Sequence, residues 1–228
     1  MTRSIEFVPK EYYHVYNRGT DKRKIFIGHG DYLRFLLLLY LCNQNSKVDL
    51  GDYLRQGLTL SEIFQKKKDK NLVSIGAYSL MPNHFHLLVK ENIKGGVSLF
   101  MQKIQTAYTM YFNKKNDRSG SLFQGTFKAK HITKDTYLKY LFAYINLNPI
   151  KLIDPNWREE GIKDLIKSEK FLSTYKYSSY VDLTGTERPE NKILDLSSFP
   201  EYFNEELKFK DFVLEWLNSK DMNESDKV

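Results

Sequence analysis

Two apolar runs, Leu72 to Leu80 and His84 to Lys90, stand on either side of Met81-Pro82-Asn83. Proline presets its own φ and asparagine tolerates tight bends, so the spacing predicts a β-hairpin over residues 72–90. Strand side chains alternate between faces. His84 and His86 therefore share one face, while Phe85, Leu87 and Val89 share the other. Two imidazoles side by side can hold one cation, although structural hydrogen bonding or plain burial also produces such a pair.

The rest of the chain is built around that hairpin. Glu11 to Asn17 is aromatic and β-branched enough for a first strand, followed by the basic turn Arg18 to Lys24. His14 in that strand reads as a packed or hydrogen-bonded residue rather than a ligand. Tyr32 to Cys42 is apolar nearly all round and predicts a buried helix with Asp31 as its N-cap. Residues 43–71 hold two candidate short helices, Leu50–Leu54 and Leu60–Phe64, and the charge run Lys66 to Lys70, which reads first as solvated loop and second as a contact for a nucleic-acid backbone. Val97, Phe100, Met101, Ile104, Tyr108 and Tyr111 recur at three and four and predict an amphipathic helix ending near Asn113–Asn116. Leu122 to Ile132 reads as a fourth strand. Thr133 then caps a helix whose face carries Tyr137, Tyr140, Tyr144 and Asn148, and Pro149 stops it. The order strand, helix, strand, strand, helix, strand, helix predicts an α+β class, an antiparallel sheet with helices on one face. Beyond Lys151 the pattern weakens: Trp157 to Phe171 reads as one helix, Tyr175 to Tyr180 as a turn or short strand, Gly185 to Pro200 as a linker, and Glu201 to Ser219 as one or two helices.

Charge narrows the partners. The net charge of +7 over 228 residues is uneven: Glu201 to Val228 carries eight acids and four bases, leaving +11 on the remainder. A basic body attracts polyanions, nucleic acid foremost, whereas a merely solvated surface is the plainer account of the same number. The single cysteine, Cys42, allows no internal disulfide and suits a reducing cytoplasm. The longest apolar run, Phe35 to Cys42, is far short of the ~20 residues that cross a bilayer. The opening Met-Thr-Arg-Ser-Ile-Glu does not read as a signal peptide, so a soluble cytoplasmic protein with no membrane partner is expected.

Tyr144 and Asn148 lie four apart on one helix face, so a metal held through Asn148 would sit beside the Tyr144 hydroxyl. Phosphodiester chemistry needs such a combination. The phosphate repels nucleophiles, and a divalent cation on a non-bridging oxygen offsets that charge. A phenol, with a reference pKa of about 10, must lose its proton or have its anion stabilised. Taken singly, one tyrosine among 16 is an ordinary core residue, and Asn148 an ordinary helix end. No phosphate-binding Gly-x-x-x-x-Gly-Lys-Ser/Thr loop, Gly-x-Ser-x-Gly elbow or His-Glu-x-x-His helix occurs.

Four stretches carry a resemblance: Tyr13 to Gly19, Leu80 to Leu88, Gly125 to Lys128, and Tyr144-Ile145-Asn146-Leu147-Asn148-Pro149-Ile150-Lys151. In this order they resemble the single-tyrosine HUH transposases of the insertion-sequence-200 type, nearest to the REP-associated tyrosine transposases. Tyr177-Ser178-Ser179-Tyr180 is similar to a Trp-Ser-Ser-Tyr found further on in those proteins. The resemblance spans roughly residues 8 to 155. It implies a ferredoxin-like domain over 8–155; the chain departs from compact members of the family by an insertion at 43–71 and by a mainly helical extension over 156–228. It further implies Mg²⁺ or Mn²⁺, and cleavage of single-stranded or hairpin DNA through a 5′-phosphotyrosine. Carried onto this chain, His84 and His86 match the metal-binding histidines, Tyr144 the nucleophile and Asn148 the third ligand. Tyr140 and Tyr137 are the competing nucleophiles. Relatives include monomers and homodimers that share sites, so either arrangement is open. Arg18, Lys22, Arg23, Lys128 and Lys130 are candidate DNA-backbone contacts, chosen for charge and position. Two rivals stand: a non-cleaving DNA or RNA hairpin-binding module of the same fold, and an unrelated phosphodiesterase using His84 and His86 with water.

Overall fold

The computed structural model describes residues 5–47 and 49–201. The strands Tyr12–Arg18 (β1), Val73–Met81 (β2), His84–Glu91 (β3) and Lys128–Ile132 (β4) form one antiparallel sheet in the order β2-β3-β1-β4. Helix His29–Leu41 (α1) joins β1 to β2, followed by the short helices Leu50–Arg55 (α2) and Leu60–Phe64 (α3) of the insertion. Helix Gly96–Lys115 (α4) joins β3 to β4. This is the βαββαβ series and strand order of a ferredoxin-like domain. A further helix, Asp135–Leu147 (α5), follows β4.

The two sheet faces are covered differently. Tyr13, Val15, Phe85, Leu87 and Val89 are fully buried in one cluster with Phe35 of α1 and Phe100, Ile104 and Tyr108 of α4. On the opposite face Ala77, Leu88 and Ile132 pack against Leu138, Leu141, Phe142 and Ile145 of α5. The expected single layer of helices thus holds for α1 and α4, and α5 adds a second layer. It can do so because the apolar residues on this second face, Ala77, Leu88 and Ile132, supply a hydrophobic seat beside the polar ones.

The hairpin turn is clamped by the end of β1. The Pro82 carbonyl accepts from the amides of Ile25 and Phe26, and the Asn83 carbonyl accepts from Gly19. Leu122 and Arg18 carbonyls accept in turn from Thr20 and Gln124. Stretches far apart in sequence are therefore tied together by backbone hydrogen bonds at one end of the sheet.

Several local expectations change. Asp31 is not the N-cap of α1; Gly28 is. Asp31 stands in the first turn, where its carboxylate accepts from the Ile27 and Gly28 amides and pairs with Lys115 at 2.6 Å. The fourth strand begins at Lys128 rather than Leu122, because Gly125 at φ +67° turns the chain and Leu122, Phe123 and Phe127 point into the core instead. Trp157 to Phe171 forms two helices, Trp157–Glu160 (α6) and Leu165–Thr174 (α7). Gly161 at φ +81° ends the first, and Asp164 caps the second by accepting from the Lys167 amide.

The segment from Gly185 to Pro200 is not a linker. Ile193 and Phe199 are buried, and Asp195 accepts from the Ser74 hydroxyl at 2.6 Å. Phe199 lies over Gly76 so closely that a Cβ there would come within 2.7 Å of the ring. The turn around Ser178 pairs with the β2 edge, where Leu80 donates to the Tyr177 carbonyl, covering an edge that would otherwise be open to another chain. The helices expected over Glu201 to Ser219 and the acidic segment lie outside the described residues apart from Glu201.

Candidate active site

Strand alternation aims His84 and His86 at the α5 face, their rings 5.0 Å apart and nearly perpendicular. Each ring has one nitrogen already engaged. His84 Nδ1 meets Asn83 Oδ1 at 2.7 Å, and His86 Nδ1 meets His14 Nε2 of β1 at 2.9 Å. The β1–β3 register sets Tyr16 opposite His86 and Arg18 opposite His84, so these side chains belong to the same face.

Helix α5 brings the other half. The Tyr144 ring meets His86 edge to face at 5.5 Å. Asn148 opens the turn Asn148–Leu152, kept short of a longer helix by Pro149. It is buried, and no hydrogen bond of good geometry reaches its Oδ1. The amide nevertheless lies within electrostatic reach of both His84 and the Tyr144 hydroxyl. Tyr137, Tyr140 and Tyr144 stack along the helix at 5.8 and 6.0 Å. Arg158 of α6 closes this side, its guanidinium 4.7 Å over the Tyr144 ring and donating to the Tyr140 hydroxyl at 3.2 Å.

Burial dominates the electrostatics. It lowers His84 to about 4, with the Lys151 ammonium acting the same way. His86 is pushed well below its ordinary value by burial and by the neighbouring His14 and His84, and His14 falls to about 3. All three imidazoles are thus neutral near pH 7, with lone pairs to offer. Burial raises the Tyr144 phenol, while the Arg158 charge pulls it back down.

These groups open onto a cleft of about 600 Å³. Arg18, Lys22, Lys128, Lys151 and Arg158 line it, and none of its lining residues is an aspartate or glutamate. A cationic cleft without a carboxylate is built for an anion. The donors also suit a divalent ion. With each Nδ1 engaged, the donating tautomer leaves His84 Nε2 and His86 Nε2 free, and Asn148 Oδ1 is a buried acceptor lacking a partner. Because its third donor is an amide, such a site differs from a His/Cys/Asp/Glu cluster, and no cluster of three of those exists among the described residues.

The family model "Transposase IS200 like" matches residues 8–148. The chain belongs to the IS200-like transposase family. Among solved structures it is similar to a REP-associated tyrosine transposase bound to a REP hairpin, at 12% identity and a TM-score of 0.47, over 88% of this chain and 97% of that one. It is also similar to a protein from Deinococcus radiodurans R1 provisionally described as a transposase, at 15% identity and a TM-score of 0.33, over 62% and 93%. A search of curated proteins found no match. No helix among the described residues of this transposase is long and apolar enough to cross a membrane.

The candidate residues of the transposase separate into those at the cleft and those beside it. His84, His86 and Tyr144 line the cleft with Arg18, Lys22 and Lys128, and Asn148, buried and not part of the lining, lies beside His84 and Tyr144. Arg23 does not line it; its guanidinium is turned to Asp21 at 3.4 Å and to the Thr20 carbonyl. Lys130 lies over the Tyr137 ring at 4.2 Å. Tyr140 and Tyr137 share the helix face of Tyr144 but do not line the cleft. Sequence reasoning missed Tyr16, Gln124, Lys151 and Arg158. Tyr16 was accessible, since it shares strand parity with Arg18, and Lys151 directly follows the Asn-Pro stretch. Arg158 had no signal, because α6 lies where the pattern fades.

Proposed function

We propose that this transposase cuts and rejoins single-stranded or hairpin DNA through a 5′-phosphotyrosine on Tyr144. The observation that carries this reading is Tyr144 lying against His86 and beside Asn148 in a cleft lined by cations and no carboxylate. The unit that supplies His84, His86, Tyr144 and Asn148 is residues 8–155 with the insertion at 43–71, and the extension from residue 156 adds Arg158 to the cleft wall.

His84, His86 and Asn148 would hold Mg²⁺ or Mn²⁺, and the two imidazoles suit Mn²⁺ somewhat better. Such an ion supplies Lewis-acid polarisation of a non-bridging phosphate oxygen. The chain's own residues do the rest. The Nδ1 bonds of His84 and His86 hold both rings in register, and His14 anchors the second. Arg18, Lys22 and Lys128 draw the DNA backbone to the cleft. Tyr144 Oη bonds to phosphorus and the P–O3′ bond breaks. The phenol proton passes to solvent, and the 3′ oxygen leaves as a hydroxyl with a proton from solvent. The ester bond on Tyr144 keeps the energy of the phosphodiester, so a second 3′-hydroxyl can reverse the step without ATP.

The test is a denaturing gel with hairpin DNAs from the sequence flanking the gene, end-labelled in turn, with Mn²⁺. Wild type forms a slowed band carrying the label 3′ of the cut; Tyr144→Phe and His84→Ala/His86→Ala do not. Cleavage that survives Tyr144→Phe without an adduct sinks the proposal and favours hydrolysis by water. Tight binding without cleavage favours the hairpin-binding module.

A further inference from the structure

We infer that Arg158, which lies beyond the segment shared with the family model, contacts the scissile phosphate and is a catalytic residue of the strand-transfer step. This rests on the reading of Tyr144 as nucleophile. A guanidinium offers five N–H donors in a flat fork. Among the described residues Arg158 hydrogen-bonds through one of them, from Nη2 to the Tyr140 hydroxyl, and no carboxylate pairs with it. Its guanidinium carbon lies 4.7 Å from the Tyr144 ring centre, and its other N–H donors make no hydrogen bond to the described residues. The side chain lines the same cleft as His84, His86 and Lys151.

A half-buried guanidinium on the cleft wall, with donors unused by the described residues, can take an acceptor that enters the cleft. Beside a tyrosine that attacks phosphorus, the acceptor of matching charge is a non-bridging phosphate oxygen, which a guanidinium grips in two-pronged fashion. The bond to the Tyr140 hydroxyl and the contact with the Tyr144 ring hold the fork before DNA arrives. Preorganised charge of this kind acts most strongly as negative charge gathers on the five-coordinate phosphorus. As the Tyr144 Oη–P bond forms and the P–O3′ bond breaks, Arg158 stays on the same oxygen, and it remains there in the phosphotyrosine. The guanidinium meanwhile stays over the nucleophile's ring.

The experiment compares wild type with Arg158→Met and Arg158→Ala under single-turnover conditions with Mn²⁺. Two substrates are used: an ordinary hairpin, and one with a methylphosphonate at the scissile position, which removes the charge that Arg158 offsets. Arg158→Met keeps an unbranched side chain over Tyr144 without its charge. On ordinary DNA both variants are expected to slow adduct formation by about 10²–10³-fold. Thermal midpoint and Mn²⁺ affinity stay near wild type. On the methylphosphonate the gap to wild type shrinks to less than about tenfold, and added guanidinium partly restores Arg158→Ala. Equal losses on both substrates would overturn the inference and leave Arg158 a packing residue. A wild-type adduct that forms equally fast in both variants would overturn it too, with the Tyr144 reading intact. Absence of any adduct in wild type overturns both.

Discussion

Phe85 and His86 are neighbours on one strand and belong to different parts of the molecule. Phe85 faces α1 and α4 among Tyr13, Val15 and Leu87, all with no exposed surface. His86 faces α5, bonded to His14 and in contact with Tyr144. The same strands thus carry a dry apolar layer on one side and a polar, cationic cleft on the other. The period of two in a β-strand separates stability from chemistry to within a single residue. The apolar face holds the backbone still, and the buried imidazoles of the other face are held neutral and oriented by that rigid backing.

Neighbouring substitutions should therefore fail in opposite ways. Phe85→Ala should cost about 3–5 kcal/mol of stability, measured by urea unfolding, while the fraction that remains folded keeps its Mn²⁺ affinity. His84→Ala should cost less than about 1.5 kcal/mol and lower Mn²⁺ affinity by at least about a hundredfold in calorimetry. Comparable stability losses from the two would break the contrast. His14→Phe sharpens it. The ring shape is roughly kept but the bond to His86 Nδ1 is gone, so Mn²⁺ affinity should fall about 10–100-fold with little change in the DNA affinity of metal-free protein.

The polar face should also sense acid. His84 is lowered to about 4 and His14 to about 3 from an ordinary 6.5, both chiefly by burial. Below about pH 6.5 the unfolded chain binds protons that the folded chain refuses. Stability is therefore full above that pH and is lost as pH falls toward 4. Thermal midpoints between pH 7 and 4 should show this decline, and a shallower one in His14→Phe; an equal slope would place the acid sensitivity elsewhere. The smallest effect is expected from Lys128→Ala, which should weaken DNA binding a few-fold whatever the sequence. It should also reduce the salt dependence by about one unit of slope in log–log titration.

What the sequence made legible was local or periodic. The 72–90 hairpin followed from alternation around Pro82 and Asn83, α4 from its three-and-four spacing, and the shared face of Tyr144 and Asn148 from helical geometry. Features that depend on distant partners were not legible. Asp31 looked like a cap because its pairing with Lys115, 84 residues on, cannot be seen nearby. Gly185 to Pro200 looked like a linker because its few apolar residues follow no helix or strand period and Pro189 and Pro200 interrupt it; Gly76 and Tyr12, far off in sequence, give Phe199 its seat. The placement of α5 on the second face depended on which residues of that face were apolar, Ala77, Leu88 and Ile132 coming from three different strands. The His14–His86 bond and the approach of Arg158 to Tyr144 are likewise products of tertiary structure.

The central claim is that Tyr144, and neither Tyr140 nor Tyr137, is the residue joined to DNA. The direct measurement is mass spectrometry of the protease-digested, nuclease-trimmed product of wild type with hairpin DNA and Mn²⁺. The account predicts a nucleotide adduct on the peptide containing Tyr144, with fragment ions placing the phosphate on that residue and no adduct in Tyr144→Phe. A nucleotide on Tyr140 or Tyr137, or cleaved DNA with no modified tyrosine, would contradict it.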